Sequence, residues 1–216
     1  MGLPGKFDGR LKRNLGVRAV WLPGSEIVLG TVLQRRDEAF LPIASLGDFG
    51  VTFAPRSMLN QVSLTFQARG VSSTVVQAGA QVDLSRIDTK ANAEIEIGFK
   101  REATYLIRTP TLSGEEIGSL LTIGNALKEA PGWNHSRYFV VAGVYRAGEF
   151  LFLGSQTGNQ TVRFGGRGDA IRDFLTVGAS ANVARTSSSS VSIEIVGRGG
   201  PVAMRVVRFK RDGRVY

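Results

Sequence analysis

Hydrophobic and polar residues alternate along TKANAEIEIGFK, residues 89–100. The apolar positions share one parity and are Ala91, Ala93, Ile95, Ile97 and Phe99. The polar positions between and after them are Asn92, Glu94, Glu96 and Lys100. Successive side chains of a strand point to opposite faces, so this pattern predicts a strand with one apolar face. Such a strand fits a half-buried sheet in water, or a sheet with one face in lipid.

A longer alternating stretch precedes this one and begins at Val62. Its second half places apolar residues on one parity, and these are Val76, Ala78, Ala80, Val82 and Leu84. Gln77, Gln81 and Asp83 occupy the other parity. The polar link SRIDTK joins the two stretches, so the sequence predicts one long hairpin, hairpin 1, over residues 62–101.

In the next segment, apolar residues recur at the spacing of a helix and no longer alternate. Ser113, followed three residues later by Glu116, fits the capping box at the start of a helix, and Pro131 would end that helix. Ile117, Leu120, Leu121 and Leu127 would share one face. The pattern predicts an amphipathic helix over residues 113–129.

In the last third of the chain, the pattern of apolar residues predicts central strands and a second hairpin. YFVVAGVYRAGEFLFLG is apolar on both parities, which is typical of strands covered on both faces, and RGDAIRDF is short enough for one helical turn. Alternation then returns on either side of RTSSSS and predicts hairpin 2 over residues 174–197. Its apolar positions are Leu175, Val177, Ala179, Ala181, Val183, Val191, Ile193 and Ile195.

Together these elements predict an α+β fold: one domain, residues 1–216, with a twisted, mainly antiparallel central sheet, flanking helices and two long amphipathic hairpins. No run of apolar residues is long enough for a transmembrane helix, and the N-terminus lacks the apolar core of a secretory signal. A cytosolic start is therefore expected. A short basic segment at the start could be helical.

Charge and composition narrow the function. The net charge is +9, and the first twenty residues hold Lys6, Arg10, Lys12, Arg13 and Arg18 against the single carboxylate Asp8. The C-terminal tail is similarly basic, so both ends would attract a polyanion, either nucleic acid or an anionic lipid surface. With no cysteine, one histidine and no catalytic motif, the sequence predicts no enzyme, no cofactor, no metal site and no small-molecule substrate.

The order of the elements resembles the gasdermin pore-forming domain, most of all the bacterial gasdermins. RYFVVAGVYRAGEFLFLGSQ and LTVGASANVARTSSSSVSIEIVGRGGPVAMRVVRF are similar to that family's apolar strand pair, second insertion hairpin and final strand. TVLQRRDEAFLPIASLGDF is similar to the early strands of bacterial members. The resemblance covers about residues 6–209. It lies in the order of the elements and in the character of their residues, and no short signature motif supports it.

The resemblance implies a protein that stays soluble in the cytoplasm until a protease removes a C-terminal inhibitory segment. It would then form a large homo-oligomeric pore in the inner membrane and kill the cell, which in bacteria is a defence against phage. Bacterial members commonly carry an acylated cysteine near the N-terminus, and this chain has none. No inhibitory segment is recognised after Arg214.

Physical reasoning adds roles for particular residues in such a pore. The basic residues at the N-terminus would dock on anionic lipid, and the apolar parities of both hairpins would face acyl chains. The acidic residues Asp83, Glu94, Glu96 and Glu194 would line the pore and favour cations, and Arg185 could snorkel. The alternative is a soluble, basic, β-rich module that binds nucleic acid or another polyanion.

Overall fold

A computed structural model describes residues 2–21, 25–36, 39–176, 184–189 and 193–216. The helices are α1 (Leu3–Leu15), α2 (Leu120–Lys128) and α3 (Gly168–Thr176). The first six strands are β1 (Arg18–Ala19), β2 (Thr31–Arg36), β3 (Ala39–Ser45), β4 (Pro55–Gln67), β5 (Val71–Gln77) and β6 (Ala80–Val82). The other six are β7 (Asn92–Phe99), β8 (Thr104–Ile117), β9 (Tyr138–Ser155), β10 (Gln160–Arg167), β11 (Ala184–Ser189) and β12 (Ile193–Val207).

The strands form two sheets. One has seven strands, with the order β1-β12-β9-β2-β3, and β8 pairs with both β9 and β4. The other has five, in the order β11-β10-β7-β5-β6. Every pairing between these strands whose register is described is antiparallel. The predicted α+β class with a mainly antiparallel sheet is confirmed, and so is a helix in the basic N-terminal segment.

The residues group into two compact units. Unit 1 comprises Met1–Phe7, Val62–Leu112 and Ala147–Gly199, and unit 2 comprises Asp8–Gln61, Ser113–Arg146 and Gly200–Tyr216. Several long strands therefore contribute residues to both. Whether the chain acts as one domain stays a prediction.

Unit 1 is built around the five-stranded sheet. Val75 of β5 lies opposite Ile95 of β7, and Ile95 lies opposite Phe164 of β10. These paired side chains share one face, which α3 covers: the Phe164 and Phe174 rings are 5.0 Å apart. The start of α1 adds Leu3 and Phe7, both buried, and the Phe7 ring packs edge-on against Tyr105 at 4.9 Å. Burial of this apolar surface stabilises unit 1.

Unit 2 has its own apolar core. Ile123 and Leu127 of α2 pack with Val140, Val207 and Phe209, and Trp133 closes one side. Helix α2 begins at Leu120, because Ser119 Oγ accepts a hydrogen bond from the N–H of Thr122 at 3.3 Å. The helix ends at Lys128, shortly before Pro131.

The predicted helix start at Ser113 is wrong. β8 continues through Ser113 as far as Ile117, so Glu116 belongs to a strand. There its carboxylate is buried and binds the guanidinium groups of Arg56 and Arg205, the latter at 3.2 Å. The predicted helical face is also wrong in part, because Ile117 is a strand residue and Leu121 is 69% exposed.

Glu116 therefore ties β4, β8 and β12 together within unit 2. Burial raises the pKa of the nearby Tyr145 hydroxyl, an effect that Arg205 opposes and Glu116 strengthens. A buried carboxylate is stable only when it is paired and hydrogen-bonded, and both arginines satisfy that need here.

Glu116→Gln is expected to lower the free energy of unfolding by about 1 to 3 kcal/mol, because the amide cannot provide the charge that both arginines contact. Urea denaturation measures the change. Glu115→Gln is the control, because Glu115 is exposed on the same strand, and we expect it to stay within about 0.5 kcal/mol of wild type. Equal losses in the two variants would contradict a structural role for the buried ion pairs.

Candidate membrane-interacting surfaces

The predicted docking residues at the N-terminus have different environments. Lys12 and Arg13 are exposed in the last turn of α1, and Lys6 is exposed on its first half, where Nζ donates to the carbonyl of Glu102 at 3.0 Å. Arg10 is partly buried. Arg18 lies on β1, pairs with Asp8 at 2.8 Å and stacks 5.2 Å from the centre of the Phe40 ring. Lys12 and Arg13 are therefore the best placed to contact a charged surface. Arg18 is instead bound to Asp8 and Phe40 within unit 2.

The alternation on β7 is confirmed. Ala93, Ile95, Ile97 and Phe99 are at most 4% exposed, and Ala91 just before the strand is partly buried. Asn92 and Glu94 point the other way and are exposed. In this structure the apolar face is the core face of unit 1. Its role in lipid stays a prediction.

The first arm of hairpin 1 is not continuous. Gly70 turns the chain between β4 and β5 with φ of 98°, and the turn at Ala78 and Gly79, with φ of 51° and 78°, folds β6 back on β5. Positive φ at two successive central residues is typical of a tight hairpin turn. The alternation of the sequence continues through both turns, so the predicted arm is longer than the strands of the structure.

The turn also changes which residues share a face. Val76 lies opposite Glu94, so it is on the polar face of β7 and not on the predicted apolar one. Val82 lies opposite Val75, and Ala80 lies opposite Gln77, which places both on the face of Ile95. Ala78 is in the turn, and Leu84 begins a 3-10 turn, Leu84–Arg86. The buried apolar face of hairpin 1 therefore runs along β7 and includes Val71 and Val75 of β5, whereas on β6 Ala80 is exposed and Val82 is only partly buried.

Hairpin 2 is only partly within the described residues. Val177, Ala179, Ala181, Val183 and Val191 lie outside them. Leu175 belongs to α3, so its predicted strand position is wrong: the helical segment starting at Gly168 is longer than one turn and includes it. Ile193 and Ile195 are in β12, and Arg185 is in β11 opposite Phe164.

The four predicted pore-lining carboxylates belong to different elements of the structure. Glu94 and Glu96 share one face of β7, and the Glu96 carboxylate pairs with Arg163 of β10 at 2.7 Å. Asp83 is exposed just after β6, and Glu194 is in β12. The pair of Arg163 with Glu96 is exposed and contributes little to stability.

Helix α3 is anchored at the start of β7 by close backbone contacts. The N–H of Gly168 donates to the carbonyl of Ala91 at 2.8 Å, and the N–H of Asp169 donates to the carbonyl of Thr89 at 3.1 Å. A Cβ at Gly168 would lie 2.0 Å from the Asp88 carbonyl oxygen, so only glycine allows this approach. No local pattern predicts this contact, because nothing in the sequence pairs residue 168 with residues 88–91.

Unit 2 contains a basic pocket that the sequence alone does not predict. It is lined by residues 133–136 and by residues 208–211, which include Arg208, Lys210 and Arg211. The imidazole Nδ1 of His135 lies 3.4 Å from the carbonyl oxygen of Phe209 and connects the two segments. Residues 133–136 and 208–211 are distant in sequence, so only the fold brings them together.

The part of the chain that the structure describes contains no helix long and apolar enough to cross a membrane. The same residues contain no group of three histidine, aspartate or glutamate side chains placed to hold a metal ion.

No protein-family model matches this sequence, and no curated protein matches it. Solved structures that are similar to this chain include two gasdermins. One is the gasdermin A3 membrane pore, with 9% identity over 96% of this chain and 89% of the other and a TM-score of 0.40. The other is a bacterial gasdermin from Bradyrhizobium tropiciagri, with 12% identity over 96% and 88% and a TM-score of 0.36.

Proposed function

We propose that this chain is a membrane pore-forming protein that docks on anionic lipid, oligomerises and inserts β-hairpins. The observation that carries the proposal is the strict alternation of β7. Its apolar side chains are at most 4% exposed, while Asn92 and Glu94 on the opposite face are exposed. The apolar face of such a strand can pack against a protein core or against acyl chains, and the same residues form its polar face in both states.

Insertion would require α3 to leave the apolar face that it covers. The Phe164 and Phe174 contact and the backbone hydrogen bonds of Gly168 and Asp169 hold α3 in place in the described state. Releasing them would let β7 and the segment before it extend into one membrane hairpin. The tight turn at Ala78 and Gly79 would also have to open.

Oligomerisation is part of the proposal for a physical reason. A hairpin alone in lipid leaves the backbone groups of its outer edges without partners, at a cost of several kcal/mol per group. Neighbouring copies remove that cost by pairing edge to edge until a ring closes. A ring whose inner face carries Glu94 and Glu96 would favour cations.

The proposal also includes where and when the pore forms. The chain would be soluble in the cytoplasm, would reach the inner membrane after proteolytic activation, and would cause cell death as an antiphage defence. The net charge of +9 and the exposed basic end of α1 support the membrane location, because both attract the anionic cytoplasmic leaflet.

Reversing the charges at the end of α1 is expected to abolish docking. In the variant Lys12→Glu with Arg13→Glu, dye release from anionic vesicles should fall by about tenfold or more, because each nearby basic residue contributes about 1 kcal/mol to binding and each reversal also adds repulsion. Both side chains are exposed, so circular dichroism should be unchanged.

The matched control is Arg36→Glu with Arg137→Glu, which changes the net charge equally at exposed sites elsewhere in unit 2. It should retain most of the leakage. An equal fall in the two double variants would refute a specific docking role for α1. A salt-sensitive shift of nucleic acid in a gel, without any leakage by wild type, would instead favour the soluble binding module.

A further inference from the structure

The basic pocket of unit 2 has a volume of about 530 Å³, which is in the range of small-molecule sites. We propose that it binds a small molecule carrying a phosphomonoester, through Arg208, Lys210 and Arg211. This goes beyond pore formation and does not depend on it.

Two of the three cations of the pocket, Arg208 and Lys210, lie over aromatic rings. The Arg208 guanidinium lies 4.7 Å from the centre of the Tyr216 ring and 5.9 Å from that of Phe139. Lys210 Nζ lies 5.5 Å from the Tyr216 ring. Rings hold a cation in place without neutralising its charge, so these groups remain able to bind an anion.

The backbone of the C-terminal hairpin, residues 208–216, supports this arrangement. The N–H of Tyr216 donates to the carbonyl of Arg208 at 2.8 Å, and the N–H of Lys210 donates to the carbonyl of Arg214 at 2.9 Å. Phe209 between them is fully buried in the core of unit 2. The two basic side chains on either side of Phe209 are therefore carried by a fixed backbone.

The carboxylates in the described part of the chain form no ion pair with the cations of the pocket, Arg208, Lys210 and Arg211. The nearest acidic residue in the hairpin, Asp212, pairs with Arg214 at 2.5 Å, and Lys210 acts on it only through its field. Three cations without an ion-paired carboxylate in one concave site favour an anion of more than one charge.

This charge selects the chemical class of the ligand. A phosphomonoester carries about 1.5 to 2 negative charges at neutral pH, whereas a phosphodiester carries one. Arginine also matches the geometry of phosphate oxygens with two parallel N–H groups. The pocket is larger than one phosphate group, so an organic part of the ligand would lie against residues 133–136.

Isothermal titration with inorganic phosphate at constant ionic strength tests the proposal directly. Wild type should bind saturably, and Lys210→Gln with Arg211→Gln should weaken binding by about tenfold for each lost cation. Both side chains are exposed, so the fold should be kept. Arg137→Gln is the matched control, because Arg137 is exposed close by in sequence but does not line the pocket, and its affinity should equal that of wild type.

A second arm identifies the source of the phosphate group. Vesicles of phosphatidylcholine are doped to equal negative charge with phosphatidic acid, a monoester, or with phosphatidylglycerol, a diester. Equal binding to both, with saturable inorganic phosphate binding, identifies a soluble ligand. A preference for phosphatidic acid that inorganic phosphate competes away identifies a lipid headgroup. Absence of saturable phosphate binding, or equal affinities in the glutamine double variant and the Arg137→Gln control, overturns the proposal.

Discussion

A disulfide between positions 89 and 169 is expected to abolish dye release from anionic vesicles, and its reduction is expected to restore release. The N–H of Asp169 donates to the carbonyl of Thr89 at 3.1 Å, so the backbones of the two positions are in direct contact, as a disulfide between them requires. Residue 89 belongs to the tip of hairpin 1, which must cross the bilayer in the proposed mechanism. A bond to α3 would hold that tip on the protein.

The experiment is well controlled because the chain has no cysteine of its own. The variant Thr89→Cys with Asp169→Cys therefore contains only the intended pair, and each single variant serves as a control that cannot form the intramolecular bond. Release is measured on the oxidised protein before and after adding a reductant. Full release by the oxidised double variant would show that the tip of hairpin 1 need not leave α3.

Gly124→Ala is expected to destabilise the chain, although alanine is normally the better helix residue. A Cβ at position 124 would lie 2.0 Å from the carbonyl oxygen of Gly213, which is backbone and cannot rotate away. The C-terminal hairpin would have to move, at a cost of about 2 to 3 kcal/mol or more. Alanine in place of a solvent-exposed helical glycine would instead stabilise by about 1 kcal/mol, so the sign of the change is diagnostic.

Thermal or urea unfolding measures this change. Asn125→Ala on the same helix is the control, because Asn125 is exposed and alanine should leave stability unchanged or slightly higher. Stabilisation by both variants would contradict the close approach of Gly124 and Gly213. A destabilised Gly124→Ala protein should also lose phosphate binding, since Gly213 is in the hairpin that carries Lys210 and Arg211.

The sequence predicted those elements whose pattern is local. β7 alternates without interruption, and both the strand and the separation of its apolar and polar faces are confirmed. The fold class and the N-terminal helix follow from similarly local patterns. Alternation across residues 71–82 was misleading, because the tight turn at Ala78 and Gly79 reverses the chain and brings Ala80 opposite Gln77.

Other features depend on residues that are distant in sequence. The spacing of Ser113 and Glu116 fits a capping box, but Arg56 and Arg205 from other strands bind the carboxylate, and the helix begins at Ser119 instead. The anchoring of α3 and the basic pocket likewise arise from segments that only the fold brings together. No local pattern carries that information.

The most direct test of the proposed function is the environment of two adjacent side chains when vesicles are added. Single cysteines at Ala91, which is partly buried, and at Asn92, which is exposed, can each carry a fluorescent label without replacing a core side chain. We expect nitroxide-labelled lipids to quench the label at 91 and aqueous iodide to quench the label at 92. Equal quenching of both labels by iodide, with none by the lipids, would contradict the insertion of β7.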